Sequence, residues 1–189
     1  MILDSAGDII LDADGGDIKF HDGGTHIGSI YNDSTNLAIY SKVNNADMKF
    51  IGVDGGSDVT ALTLDMSEAG AAAFNNSVKA KTYQETYAAK SAASTVTCDL
   101  ATAQHFSVTV SANTTFAFTN PPSSGTSYSF TLIVTQHSTA VTLTWPNTVD
   151  WAGGSAPDAA GNNEVQAYGF ITRDGGTTYY GFLGGTAIG

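Results

Sequence analysis

The sequence predicts an all-β chain: a repetitive N-terminal β-stalk followed by an antiparallel C-terminal domain of β-sandwich or jelly-roll type. The composition is one reason, since Gly is high at 21 of 189 residues and charged residues make up only 13%. Such a chain is rich in turn formers and poor in helix formers. The second reason is a recurring Asp-Gly-Gly punctuation in the first third. The third is a two-residue apolar alternation through the second half, the period of strands with one buried face.

The repeats come first. Asp8-Ile-Ile-Leu-Asp-Ala-Asp-Gly-Gly16 runs directly into Asp17-Ile-Lys-Phe-His-Asp-Gly-Gly24. The pattern returns as Asp47-Met-Lys-Phe-Ile-Gly-Val-Asp-Gly-Gly56 and, more loosely, from Asp58 to Asp65. Asp-Gly pairs suit tight hairpins, whose central positions favour positive φ. Residues 1–70 therefore read as a linear array of short strands. Ile9, Leu11, Ile18, Phe20, Met48 and Phe50 would line one face of a ribbon too thin to bury it. Isolated ribbons are marginal in water, so this part is expected to need partner chains.

Residues 71–93 are Ala-rich and include Tyr83-Gln-Glu-Thr-Tyr-Ala-Ala-Lys-Ser-Ala-Ala93, the one stretch compatible with helix. They are read as a neck. From residue 94 to 189 the alternation predicts strands around Val96/Cys98/Leu100, Phe106/Val108/Val110 and Phe116/Phe118. Further strands follow at Tyr128/Phe130/Leu132/Val134 and Val141/Leu143/Trp145. A last hairpin joins 164–173 to 177–183 through Asp174-Gly175-Gly176. Within it Tyr180 and Phe182 point one way, Tyr179 and Leu183 the other, so both faces of the final strand are expected to be covered.

A formal charge of -11 argues against nucleic acid, whose recognition needs a cationic footprint, and against anionic lipid surfaces. No stretch approaches the ~18 apolar residues of a membrane span. The start, Met1-Ile2-Leu3-Asp4-Ser5, lacks a secretion signal, so synthesis in a cytoplasm without export is expected. Cys98, the single cysteine, alternates with Val96 and Leu100 and reads as a buried apolar side chain.

The sequence resembles tail-fibre and related fibre proteins of bacteriophages, notably those of marine phages of cyanobacteria and other oceanic bacteria. The resemblance rests on Gly7–Asp17 and Phe50–Gly56 in the repeats. In the second half it rests on Asn113–Pro122, Trp145–Gly154 and Arg173–Phe182. It implies a virion component, intertwined as a homotrimer, that attaches to other virion proteins and contributes to host adsorption through a cell-surface glycan or protein. The relatives often carry such repeats deep inside longer fibres, whereas here they begin at once, so a short fibre is expected. An architectural capsid or neck fibre and a glycan-degrading tail spike are the other readings.

Candidate chemistry is sparse, and no enzyme is expected. His21, His26, His105 and His137 lack metal-ligand spacing. The acids after residue 94, Asp99, Asp150, Asp158, Glu164 and Asp174, mark no carboxylate pair for glycoside hydrolysis. Asp12, Asp14 and Asp17 place oxygen ligands at short spacing and are the candidate Ca²⁺ ligands. Counted from Asp12, however, the twelfth loop position is Gly23 where a carboxylate is wanted, and the same acids serve equally as turn residues. Trp151, Tyr168, Tyr179 and Tyr180 are the aromatic candidates for a receptor sugar, the alternative for each being core or interface. The loop from Asn147 to Asn163, carrying Trp151, is expected to read the receptor, with the repeats facing the particle.

Overall fold

The structure, a computed structural model, describes residues 6–12, 14–139 and 141–188. Among them are fifteen strands and no helix, so the chain is all-β. It follows that no helix among the described residues is long and apolar enough to cross a membrane. Two compact units divide it, Met1–Lys81 and Thr82–Gly189.

The N-terminal unit holds two antiparallel three-stranded sheets. The first has the order β1 (Asp17–Asp22), β2 (Thr25–Asp33), β3 (Asn36–Ser41). The second has the order β4 (Met48–Asp54), β5 (Ser57–Asp65), β6 (Ala71–Phe74). Hairpins β1–β2 and β4–β5 turn on Gly23-Gly24 and Gly55-Gly56, all four at positive φ, as the Asp-Gly-Gly pattern predicts. The first repeat departs from expectation: Asp8 to Asp12 lie outside any strand.

Register assigns the faces, because directly paired residues point the same way. Ile18, Ile30 and Ile39 stand in one row across the first sheet, with Phe20 and Leu37 on the same face. The second sheet aligns Phe50, Leu62 and Phe74, with Met48 and Leu64 in the adjoining row. Among the described residues these faces are only partly covered: Leu11 lies beside Ile18, Ile30 and Leu37, and Ile18, Ile30, Met48, Leu62 and Leu64 are half-buried. Among its described residues Ser29 alone is buried, and Leu37 remains 80% exposed.

The C-terminal unit is the opposite case. A six-stranded sheet runs β13 (Val149–Trp151), β15 (Tyr179–Thr186), β14 (Val165–Thr172), β11 (Tyr128–Thr135), β9 (His105–Thr109), β7 (Tyr87–Lys90). A three-stranded sheet runs β12 (Leu143–Thr144), β10 (Thr114–Thr119), β8 (Thr95–Asp99). Side chains of both sheets share one core: Val96, Cys98 and Phe116 from the smaller, Phe106, Phe130, Leu132, Tyr168 and Phe170 from the larger. Phe118 sits with ring centroids 4.9 Å from both Phe130 and Phe170.

Two expectations are corrected here. The domain is not simply antiparallel: β11–β14 and β14–β15 are, but β7–β9, β9–β11, β8–β10, β10–β12 and β13–β15 are parallel. From β7 to β13 successive strands alternate between the two sheets, so sequence neighbours never pair and next-but-one strands run the same way. The Ala-rich neck is not helical either. Residues 71–74 pair with β5, and Tyr87–Lys90 pairs with β9, where Ala88 packs against the core. Ladder bonds and burial outweigh alanine's helix preference, a matter of tenths of a kcal/mol per residue. The division between units falls inside the expected neck, after Lys81.

Candidate functional site

Strand parity decides the fate of the aromatic candidates. Gln166, Tyr168, Phe170 and Thr172 all face inward from β14, leaving Tyr168 1% exposed. Tyr179 at the start of β15 is 3% exposed and sits 5.2 Å from Phe118. Trp151 is 9% exposed, packed against Trp145 and Tyr168 at 5.1 and 6.0 Å. These three are buried side chains packed among other rings, which corrects their reading as exposed sugar platforms. Tyr180 alone lies on the outer face, half-buried, with the Arg173 guanidinium 5.9 Å from its ring centre.

The loop after Trp151 nonetheless makes a concave surface. Gly153 and Gly154 adopt positive φ, Gly154 N–H donates to Trp151 O at 2.8 Å, and Ala152 N–H donates to Gly181 O at 3.0 Å. Buried Gln166 pins the far side of the loop. Its Nε2 donates to Asp158 O at 2.8 Å, while its Oε1 accepts from Ala160 N–H at 2.7 Å and from the Tyr168 hydroxyl at 2.6 Å. The resulting depression, about 500 Å³, is lined by Trp151, Ser155, Pro157, Asp158, Phe182 and Leu183. Phe182 and Leu183 are 43% and 42% exposed. Sequence alternation put the two on opposite faces of the final strand and expected both faces to be covered; instead both residues are partly exposed and line this depression.

On the outer face of the larger sheet, His105 Nδ1 lies 2.7 Å from Thr131 Oγ1 and Nε2 lies 2.5 Å from Glu85 Oε2. A hydroxyl, an imidazole and a carboxylate in line have the outward form of a nucleophilic triad. Strands β9 and β11 are both paired in the ladder at this point, and the contact ties the Glu85 segment to the sheet.

The acidic Ca²⁺ candidates do not converge. Asp17 sits 3.4 Å from Lys19, and no three His, Cys, Asp or Glu side chains among the described residues gather as a metal site. Asp12 borders a different depression, beside Leu11, Ile18 and Leu37.

Burial governs the titrating groups of the core. Desolvation pushes the Cys98 thiol from its ordinary 9.0 to about 12, opposed in part by the Lys90 ammonium. The same cause raises the Tyr168 phenol from 10.0 to about 12. In the unfolded chain both ionise first, so their stabilisation is complete below about pH 9 and is lost as pH climbs toward about 12. Equilibrium unfolding followed by tryptophan fluorescence should show this loss setting in above pH 9, the ordinary thiol value. At pH 8 the native protein should leave a thiol reagent unreacted, and denaturant should release one thiol.

Comparison of the chain with family models, with curated proteins and with solved structures found no match in any of the three.

Proposed function

We propose that this protein is a structural fibre component of a bacteriophage virion, non-enzymatic, working as a homotrimer and contributing to host adsorption. The observation that carries the proposal is the N-terminal unit without a core. Two sheets each expose a row of Ile, Leu or Phe, and Ser29 alone is buried among the unit's described residues. Burying a side chain of that size contributes about 1.5–3 kcal/mol, which a single copy gains only in part: Phe20, Leu37, Ile39, Phe50 and Phe74 remain exposed. Copies arranged about an axis would cover these faces with one another, giving an intertwined stalk from sequence too poor in apolar residues to fold alone. The number three follows the resemblance to phage fibres.

The C-terminal unit, a β-sandwich in this reading, has its own core. Its loop depression around Trp151, Pro157 and Phe182 is then the adsorption surface for a cell-surface glycan or protein. The stalk would meet other virion proteins. The charge of -11 favours neither nucleic acid nor lipid as a partner.

Immunogold electron microscopy of purified particles tests the proposal. Labelling of a projecting fibre is expected. Particles that assemble and infect without this chain on their surface would contradict it.

A further inference from the structure

In a chain of net charge -11, with seven Lys and Arg in all, two lysines and a histidine meet on one small surface. Opposite the apolar row of the first sheet, register puts Asp17, Lys19, Ser29, Tyr31 and Tyr40 on the other face. Lys42, one residue beyond β3, and His26 join them around a depression of about 430 Å³, within the usual range for small-ligand sites. Tyr31 and Tyr40 meet edge to face, 6.2 Å between centroids at 66°. The Lys42 ammonium hangs 5.5 Å from the centre of the Tyr40 ring, and no carboxylate pairs with it among the described residues. Lys19 and Asp17, 3.4 Å apart, offer donors beside an acceptor. His26 Nε2 is tied inward, 2.8 Å from Ser29 Oγ and 3.1 Å from Gly28 O.

We propose that this face binds an acidic saccharide, a sugar bearing a carboxylate or sulfate group. Each part of such a ligand has a counterpart here. The C–H face of a pyranose packs on a tyrosine ring, as apolar edges do on aromatic faces. The anionic group meets the Lys42 ammonium, which is otherwise held only by the ring beneath it. Ring hydroxyls find both a donor and an acceptor in the Lys19–Asp17 pair. A neutral sugar would leave Lys42 unanswered, and a bare anion would leave the tyrosines unused. The inference rests on the trimer reading in one respect: the apolar face is the one turned toward other copies, which leaves this face in solvent. It assigns the fibre a glycan contact in its N-terminal unit, in addition to the C-terminal loop.

Isothermal titration of the full-length protein tests it, with oligogalacturonate, sulfated dextran oligomer, neutral dextran of equal length and inorganic sulfate as probes. Both acidic oligomers should bind and weaken as NaCl is raised, with neutral dextran and free sulfate binding far less. Lys42→Ala and Tyr40→Ala should each weaken binding by about tenfold or more, and Lys42→Arg should retain it. Each variant is checked by circular dichroism and by its mass in solution. Equal binding of neutral dextran or of free sulfate, unchanged affinity in a folded Lys42→Ala or Tyr40→Ala protein, or no binding of either acidic oligomer would overturn the proposal. Monomeric wild-type protein would instead overturn the trimer reading, so the two failures are distinguishable.

Discussion

Leu62→Asp is expected to dissociate the protein and unfold its N-terminal unit while the C-terminal unit melts as before. Leu62 occupies the middle of the second sheet's apolar face, paired with Phe50 on one side and Phe74 on the other. In the proposed trimer that face is covered, and a carboxylate there would be buried without a partner in every copy. Proteins do not tolerate such a charge: the site opens or the group stays protonated, at a cost of several kcal/mol. Thr60→Asp is the matched control, because Thr60 pairs with Ile51 on the opposite, exposed face. Both tryptophans lie in the C-terminal unit, so their fluorescence follows that unit alone, while circular dichroism follows both. The expected result is loss of β-signal and a smaller mass for Leu62→Asp, an unchanged fluorescence transition, and wild-type behaviour for Thr60→Asp. A monomer of Leu62→Asp that keeps its full β-signal would show that the N-terminal sheets stand without partners.

Gly181→Ala is expected to cost the C-terminal unit about 1–3 kcal/mol, the usual penalty for overpacking a tight site. A β-carbon at Gly181 would lie 2.8 Å from both Trp151 Cε3 and Val149 Cγ1. Both belong to β13, the strand paired alongside, so relief requires moving the indole or the strand. The indole cannot shift alone, since Trp145 and Phe170 stand 5.1 and 5.6 Å from it. Gly169→Ala is the comparison: a β-carbon there meets nothing within 4 Å. Thermal melts by tryptophan fluorescence should separate the two by several degrees, on the order of 4–8 °C per kcal/mol for a unit of this size. Equal melting temperatures would mean that the Trp151–Gly181 contact is not a constraint on the fold.

These contrasts also locate what the sequence made legible. Period-two alternation found β8 to β11, β14 and β15, because each has one face in the core: Phe130, Leu132 and Val134 are buried, while Ile133 between them is not. It overextended β12, which is only Leu143–Thr144, and it missed β13, Val149–Trp151, inside the stretch expected to be a loop. Asp-Gly-Gly found the hairpin turns because positive φ at paired glycines is a local requirement. Strand direction left no such mark. A parallel and an antiparallel strand alternate identically, so the winding of the chain between two sheets is invisible to periodicity. The Ala-rich segment misled for the complementary reason: Tyr87–Lys90 is an edge strand defined by its pairing with β9, not by its own residues.

The site was less legible than the fold. Tyr168 shares parity with Phe170 and Gln166, which was a usable signal that its ring points inward. Tyr179 shared that signal, since alternation set it on a face of the last strand expected to be covered; Trp151 gave none, being fixed by contacts far along the chain. The Tyr31, Tyr40 and Lys42 surface depends on register between β2 and β3, set by a turn at Ser34 with positive φ and no glycine. Nothing in a one-dimensional pattern brings those three together.

In the proposed trimer the N-terminal unit owes its structure to other copies of the chain. Sedimentation equilibrium of the intact protein over a dilution series measures this most directly, with circular dichroism recorded on the same samples. The expected result is a particle of three times the 19.5 kDa chain mass, losing β-signal only at dilutions where it dissociates. A single species of 19.5 kDa that keeps its full β-signal at every dilution would contradict it.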